Sequence, residues 1–129
     1  MSNYGYSKKL NMPFDEAVEK TISALKEEGF GILTDIDVKK TLKEKLDVDF
    51  KDYRILGACN PPRAMKALES EEEIGLLLPC NVIVYESGDD GVTVSAINPK
   101  TAFSIVDNDG LEPLAEEVGN MLRSAIDKL

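Results

Sequence analysis

The chain contains no histidine and no tryptophan. Without an imidazole it cannot build a Ser-His-Asp or Cys-His nucleophilic site, a paired-histidine metalloprotease motif or a two-Cys, two-His zinc finger. Without tryptophan it lacks one common stacking surface. Cysteine is scarce: Cys59 and Cys80 are the only two, and no CxxC dithiol motif is present. Positive charge is also in deficit. Fifteen Lys and Arg stand against 24 Asp and Glu, a net charge of −9. A body with that charge repels phosphate backbones and anionic bilayers, so neither nucleic acid nor membrane is an expected partner. The longest apolar run, Leu76-Leu77-Leu78, is far too short to span a bilayer. Met1 to Asn11 carries Tyr4, Tyr6 and the Lys8-Lys9 pair with no apolar core of a secretory signal. The expected setting is the cytoplasm, with both thiols reduced.

What is present describes a globular domain. At 129 residues the chain fits one domain, and 43% of it is apolar. Tyr4 to Leu10 reads as a strand. Phe14, Ala17, Val18, Ile22 and Leu25 recur at helical spacing up to the stop at Gly29. In Phe30 to Val38, Ile32, Thr34 and Ile36 alternate with Leu33, Asp35 and Asp37, which predicts a half-exposed strand with its acids toward water. Val38, Leu42 and Leu46 then line a short Lys-rich helix. Tyr53 to Ala58 is a third strand, ended by Cys59-Asn60-Pro61-Pro62, where Asn60 suits a helix N-cap and Pro61 its first position. Cys80 to Glu86 and Val92 to Ile97 form a hairpin through Gly88-Asp89-Asp90-Gly91. Asn98-Pro99 opens a further short helix. A last helix carries an unbroken stripe from Leu111 to Leu129, with Asp109 and Glu112 spaced as a capping box. The expected fold is α+β: a two-layer sandwich with a mainly antiparallel five-stranded sheet. Two long helices cover one face, in the β-α-β4-α plan of the TATA-binding-protein-like fold.

Three stretches occur together: Gly29-Phe30-Gly31, Gly57-Ala58-Cys59-Asn60-Pro61 and Gly75-Leu76-Leu77-Leu78-Pro79-Cys80-Asn81-Val82. In order and spacing they resemble the family catalogued as domain of unknown function 302, over nearly the whole chain. Asn98-Pro99 stands where that family more often carries Asp-Pro. The resemblance implies the two-layer fold, a bacterial or archaeal cytoplasmic setting and a homodimer. It brings no reaction, cofactor or catalytic residue.

The two Cys-Asn steps are the candidate site: Cys59, Asn60 and Arg63 at the end of the third strand, Cys80 and Asn81 at the start of the fourth. Antiparallel pairing would place the thiols side by side and bring both amides to one edge. A helix N-terminus behind Cys59, with Arg63 one turn on, would favour its thiolate. Cysteine is equally a small buried apolar group, so both thiols can be core residues. Two thiolates leave a zinc tetrahedron half empty, and no motif implies a metal or cofactor. The acid pairs Asp35/Asp37 and Asp107/Asp109 lack the spacing of a calcium loop. The four tyrosines are expected over the sheet, or lining a pocket beneath the helices. Three functions follow. The first is a small-molecule binding or sensing module with its site near the Cys-Asn steps. The second is a thiol-dependent enzyme or redox protein using Cys59. The third is a structural self-association domain.

Overall fold

The computed structural model describes residues 3–88 and 91–129. Asp89 and Asp90, at the expected hairpin turn, lie outside the described residues. Five strands, β1 (Gly5–Leu10), β2 (Gly31–Asp37), β3 (Tyr53–Cys59), β4 (Cys80–Ser87) and β5 (Gly91–Ile97), form one sheet in the order β1-β5-β4-β3-β2. All four pairings are antiparallel. The long helices α1 (Phe14–Glu27) and α5 (Glu112–Asp127) pack on each other and on one face of the sheet. The shorter helices are α2 (Val38–Leu46), α3 (Pro61–Ser70) and α4 (Pro99–Ala102). This is the α+β sandwich that the sequence predicts.

Alternation fixes which face each strand residue serves. Leu56, Val82, Val84 and Val94 point to the helices and are fully buried against Leu25, Leu122 and Ile126. A second, smaller cluster gathers Ala67, Ile74, Phe103, Leu111 and Ala115 beneath α3. The two clusters leave a seam between them at the β3–β4 end of the sheet.

Two local expectations, at β2 and at Asp109, are corrected, and the α2 stripe is placed. First, β2 does not alternate cleanly. Ile32 pairs with Ala58 but Thr34 pairs with Gly57, so Leu33 is an extra residue in a bulge. The bulge moves Asp35 to the helix side, opposite Leu56, where Arg54 binds it through Nε to Oδ1 at 2.7 Å. Asp35 stays exposed there, while Asp37 is half-buried and caps α2, accepting from the Lys40 amide at 3.0 Å. Second, the α2 stripe is not buried: Leu46 is 66% exposed. Third, no capping box forms at Asp109. Asn108 accepts from the Gly110 amide at 2.9 Å and its own amide reaches Ser70 and Glu71, while α5 starts later, at Glu112-Pro113. Proline, preset for a first helical turn, decides that start. Among the described residues no helix is long and apolar enough to cross a membrane.

Candidate functional site

β3 leaves the sheet at Cys59, directly beside the point where β4 enters it at Cys80. Ala58 pairs with Cys80 and Gly57 with Asn81. Gly57 is small because its neighbours occupy its side-chain space. A Cβ there would meet the Thr34 hydroxyl and stand 2.7 Å from Cγ of Pro79. Cys80 projects toward the helices with Ala58 and is buried; Cys59, one residue further along, is half-buried. Both thiols are free and both line one concavity at the seam, with a volume of about 310 Å³. Its walls are apolar: Phe30 and Ala58 from the sheet side, Ala64 and Ala67 from α3, Phe103 and Val118 from beyond.

The polar residues at this end hold one another. Asn60 is buried, 7% exposed, and works from both ends of its amide. Its Oδ1 accepts from the Arg63 backbone amide at 3.3 Å, capping α3, and its Nδ2 donates to the Gly29 carbonyl at 3.2 Å. Gly29 has φ of 90°, and a Cβ there would stand 2.9 Å from Asn60 Nδ2, so glycine is required twice over. That clamp delivers Phe30, buried, to the cavity wall.

Arg63 is not available to Cys59 in the way its sequence position suggests. Its guanidinium pairs with Glu117 of α5, with Nε 2.6 Å and Nη2 2.5 Å from Oε1. The N-terminus of α3 is equally committed. Pro61 and Pro62 have no N–H, the Arg63 amide is taken by Asn60, and the Ala64 amide binds the Asn60 carbonyl at 2.9 Å. No donor of that first turn is left for a thiolate. Cys80 is held as the neutral thiol: burial, with a smaller contribution from nearby Cys59, pushes it up to about 11 from an ordinary 9.0.

Asn81 is not part of this arrangement. Alternation turns it to the opposite, open face of the sheet, where it is exposed and shares a shallow depression with Tyr85 and Ser95. The structure thus brings Cys59, Asn60, Arg63 and Cys80 to one concavity and turns Asn81, by one step of pleat, to the other face. The sequence carries no warning of Phe30, Phe103 and Val118 as walls, although Phe103 stands outside the long helical stripes. The tyrosines do not line the concavity. Tyr53 and Tyr85 stack on the open face with ring centroids 5.4 Å apart, and the Tyr6 hydroxyl donates to Asp127 at 2.7 Å.

No curated protein matches this chain. A crystal structure of an uncharacterized conserved protein DUF302 from Bacillus stearothermophilus has a TM-score of 0.91, covering 98% of this chain and 98% of that chain at 26% identity. The family described as Domain of unknown function DUF302 matches residues 6–129. The chain belongs to that family.

Proposed function

We propose that this chain is a cytoplasmic small-molecule binding module. It would hold an uncharged, largely apolar molecule in the concavity at the Cys59–Cys80 end of the sheet, with both thiols reduced. The observation that carries this reading is the concavity of about 310 Å³, walled by apolar groups, beside polar groups that already have partners. Its volume is at the lower end of the roughly 300–1,000 Å³ range of small-molecule sites. A charged ligand would have to leave its charge unpaired among apolar walls or break the Arg63–Glu117 pair, and either is costly.

The alternative of a thiol-dependent enzyme using Cys59 has lost its supports. The α3 amides and Arg63 are engaged elsewhere. A purely structural domain has no use for an open apolar concavity, which leaves apolar surface in water.

Thermal unfolding tests the proposal, using indole and a panel of neutral aromatic and aliphatic compounds. The wild-type protein is expected to gain several degrees with a subset of them. Ala64→Trp, which fills the concavity from α3, is expected to lose that gain while remaining folded. No shift with any compound, or an equal shift in Ala64→Trp, would contradict the assignment.

A further inference from the structure

The concavity between β3, β4 and α3 does not end where its walls are buried. Cys80, Phe103 and Val118 form an apolar floor, each 8% exposed. Toward solvent the lining continues through Leu33 and Leu68, which are 66% and 44% exposed. Leu33 is the extra residue of the β2 bulge, and bulges re-aim a side chain away from the ordinary pleat; here it joins the cavity rim. The cavity of about 310 Å³ is twice the ~150 Å³ that holds one benzene, which is room for roughly ten carbons. A compact two-ring molecule fills that space and leaves both leucines in water. A straight chain fills it and covers them on the way out.

The same rim carries one polar group with donors to spare. Arg63 lines the cavity, and its side chain is 35% exposed. Its Nε and Nη2 both serve one oxygen of Glu117, and among the described residues no acceptor takes the Nη1 hydrogens. A guanidinium stays charged and only donates, so it selects an oxygen acceptor. A carboxylate head would meet Glu117 on the same guanidinium, in a chain of net charge −9. A hydroxyl or carbonyl oxygen takes the free hydrogens and leaves the Arg63–Glu117 pair intact. Building on the small-molecule reading of this concavity, on which the inference rests, we propose that it takes a straight-chain aliphatic molecule of roughly ten carbons with a neutral oxygen at one end. The chain lies inward over Cys80 and Phe103, past Leu33 and Leu68, and the oxygen stays at the mouth on Arg63 Nη1.

Isothermal titration of the wild-type chain with straight-chain primary alcohols, from butan-1-ol to decan-1-ol, tests the inference, with indole as the compact control. Affinity is expected to rise about threefold to fourfold with each added methylene across the series. Decan-1-ol is expected to bind roughly tenfold more tightly than decanoate, whose charge has to be desolvated beside Glu117. Arg63→Met keeps an apolar stem and loses the donors, so it is expected to weaken decan-1-ol roughly tenfold more than it weakens indole. Indole binding without a rise along the alcohols overturns the chain and leaves the small-molecule site standing. Equal losses of decan-1-ol and indole in Arg63→Met, or decanoate binding as tightly as decan-1-ol, overturn the neutral head at Arg63. Binding of neither indole nor any alcohol overturns both readings. If Arg63→Met fails to fold, as its circular dichroism would show, the wild-type comparison of alcohols, decanoate and indole decides alone.

Discussion

Replacing Asn60 with alanine removes two hydrogen bonds at once, and their ends differ. The bond from the Arg63 amide caps α3, and losing such a cap costs about 1 kcal/mol. The bond to the Gly29 carbonyl ties α3 to the end of α1, and losing it costs about 1 kcal/mol, or more because the site is buried. The expected loss for Asn60→Ala is about 2–3 kcal/mol, measured as a shift of the urea midpoint at constant slope. For a domain of this size that corresponds to a fall in melting temperature of about 8–12 °C. Asn60→Asp separates the two bonds. It keeps the cap acceptor, and a carboxylate at a helix start is favourable by itself. It also replaces the donor to Gly29 with an oxygen facing that carbonyl across about the observed 3.2 Å. The expected result at pH 7 is a loss at least as large as in alanine, shrinking as the pH falls and the introduced carboxylate takes up a proton. That is the sign required when folding raises a carboxyl pKa: the protonated form is the one the fold prefers. An Asn60→Asp protein as stable as wild type at pH 7 would refute the two-ended clamp and leave Asn60 as a helix cap only.

Other outcomes follow from the same end of the molecule. Gly57→Ala puts a methyl group into Thr34 and within 2.7 Å of Pro79, so it is expected to destabilise by about 1–3 kcal/mol in the same urea assay. Cys80 has a raised pKa in the folded chain, about 11 against an ordinary 9.0. The associated stability is fully present below pH 9 and is lost as pH rises toward 11. A Cys80→Ala protein should lack about 2–3 kcal/mol of the alkaline decline that wild type shows between those pH values. Iodoacetamide at pH 8 should label Cys59 before Cys80, read by peptide mass, because only Cys59 is both partly exposed and outside the main buried cluster.

The order of elements was legible because each has a local signal. Helical stripes mark α1 and α5, Asn60-Pro61 opens α3, and Asn98-Pro99 opens α4 with Asn98 accepting from the Lys100 amide. That Cys59 and Cys80 line one concavity at the same end of the sheet follows from the antiparallel pairing of β3 with β4. The misplaced residues share a different cause. Asn81 goes to the far face because side chains alternate with period two, so its neighbour in sequence is not its neighbour in space. Asp35 changes side because a bulge at Leu33 shifts the count by one, and bulges leave little trace in a β-branched stretch. Sequence position puts Arg63 beside the nearest thiol, yet Glu117 on α5, 54 positions away, captures it. Long-range ion pairing and the shape of a seam between two apolar clusters depend on tertiary packing, which no local pattern encodes.

The central claim is tested most directly by assigned amide spectra of the protein titrated with indole. The account predicts saturable shifts concentrated at Ala58, Cys59, Ala64, Ala67 and Phe103, and their loss in Ala64→Trp. Shifts confined to the open face around Tyr85 and Ser95, or none at all, would contradict it.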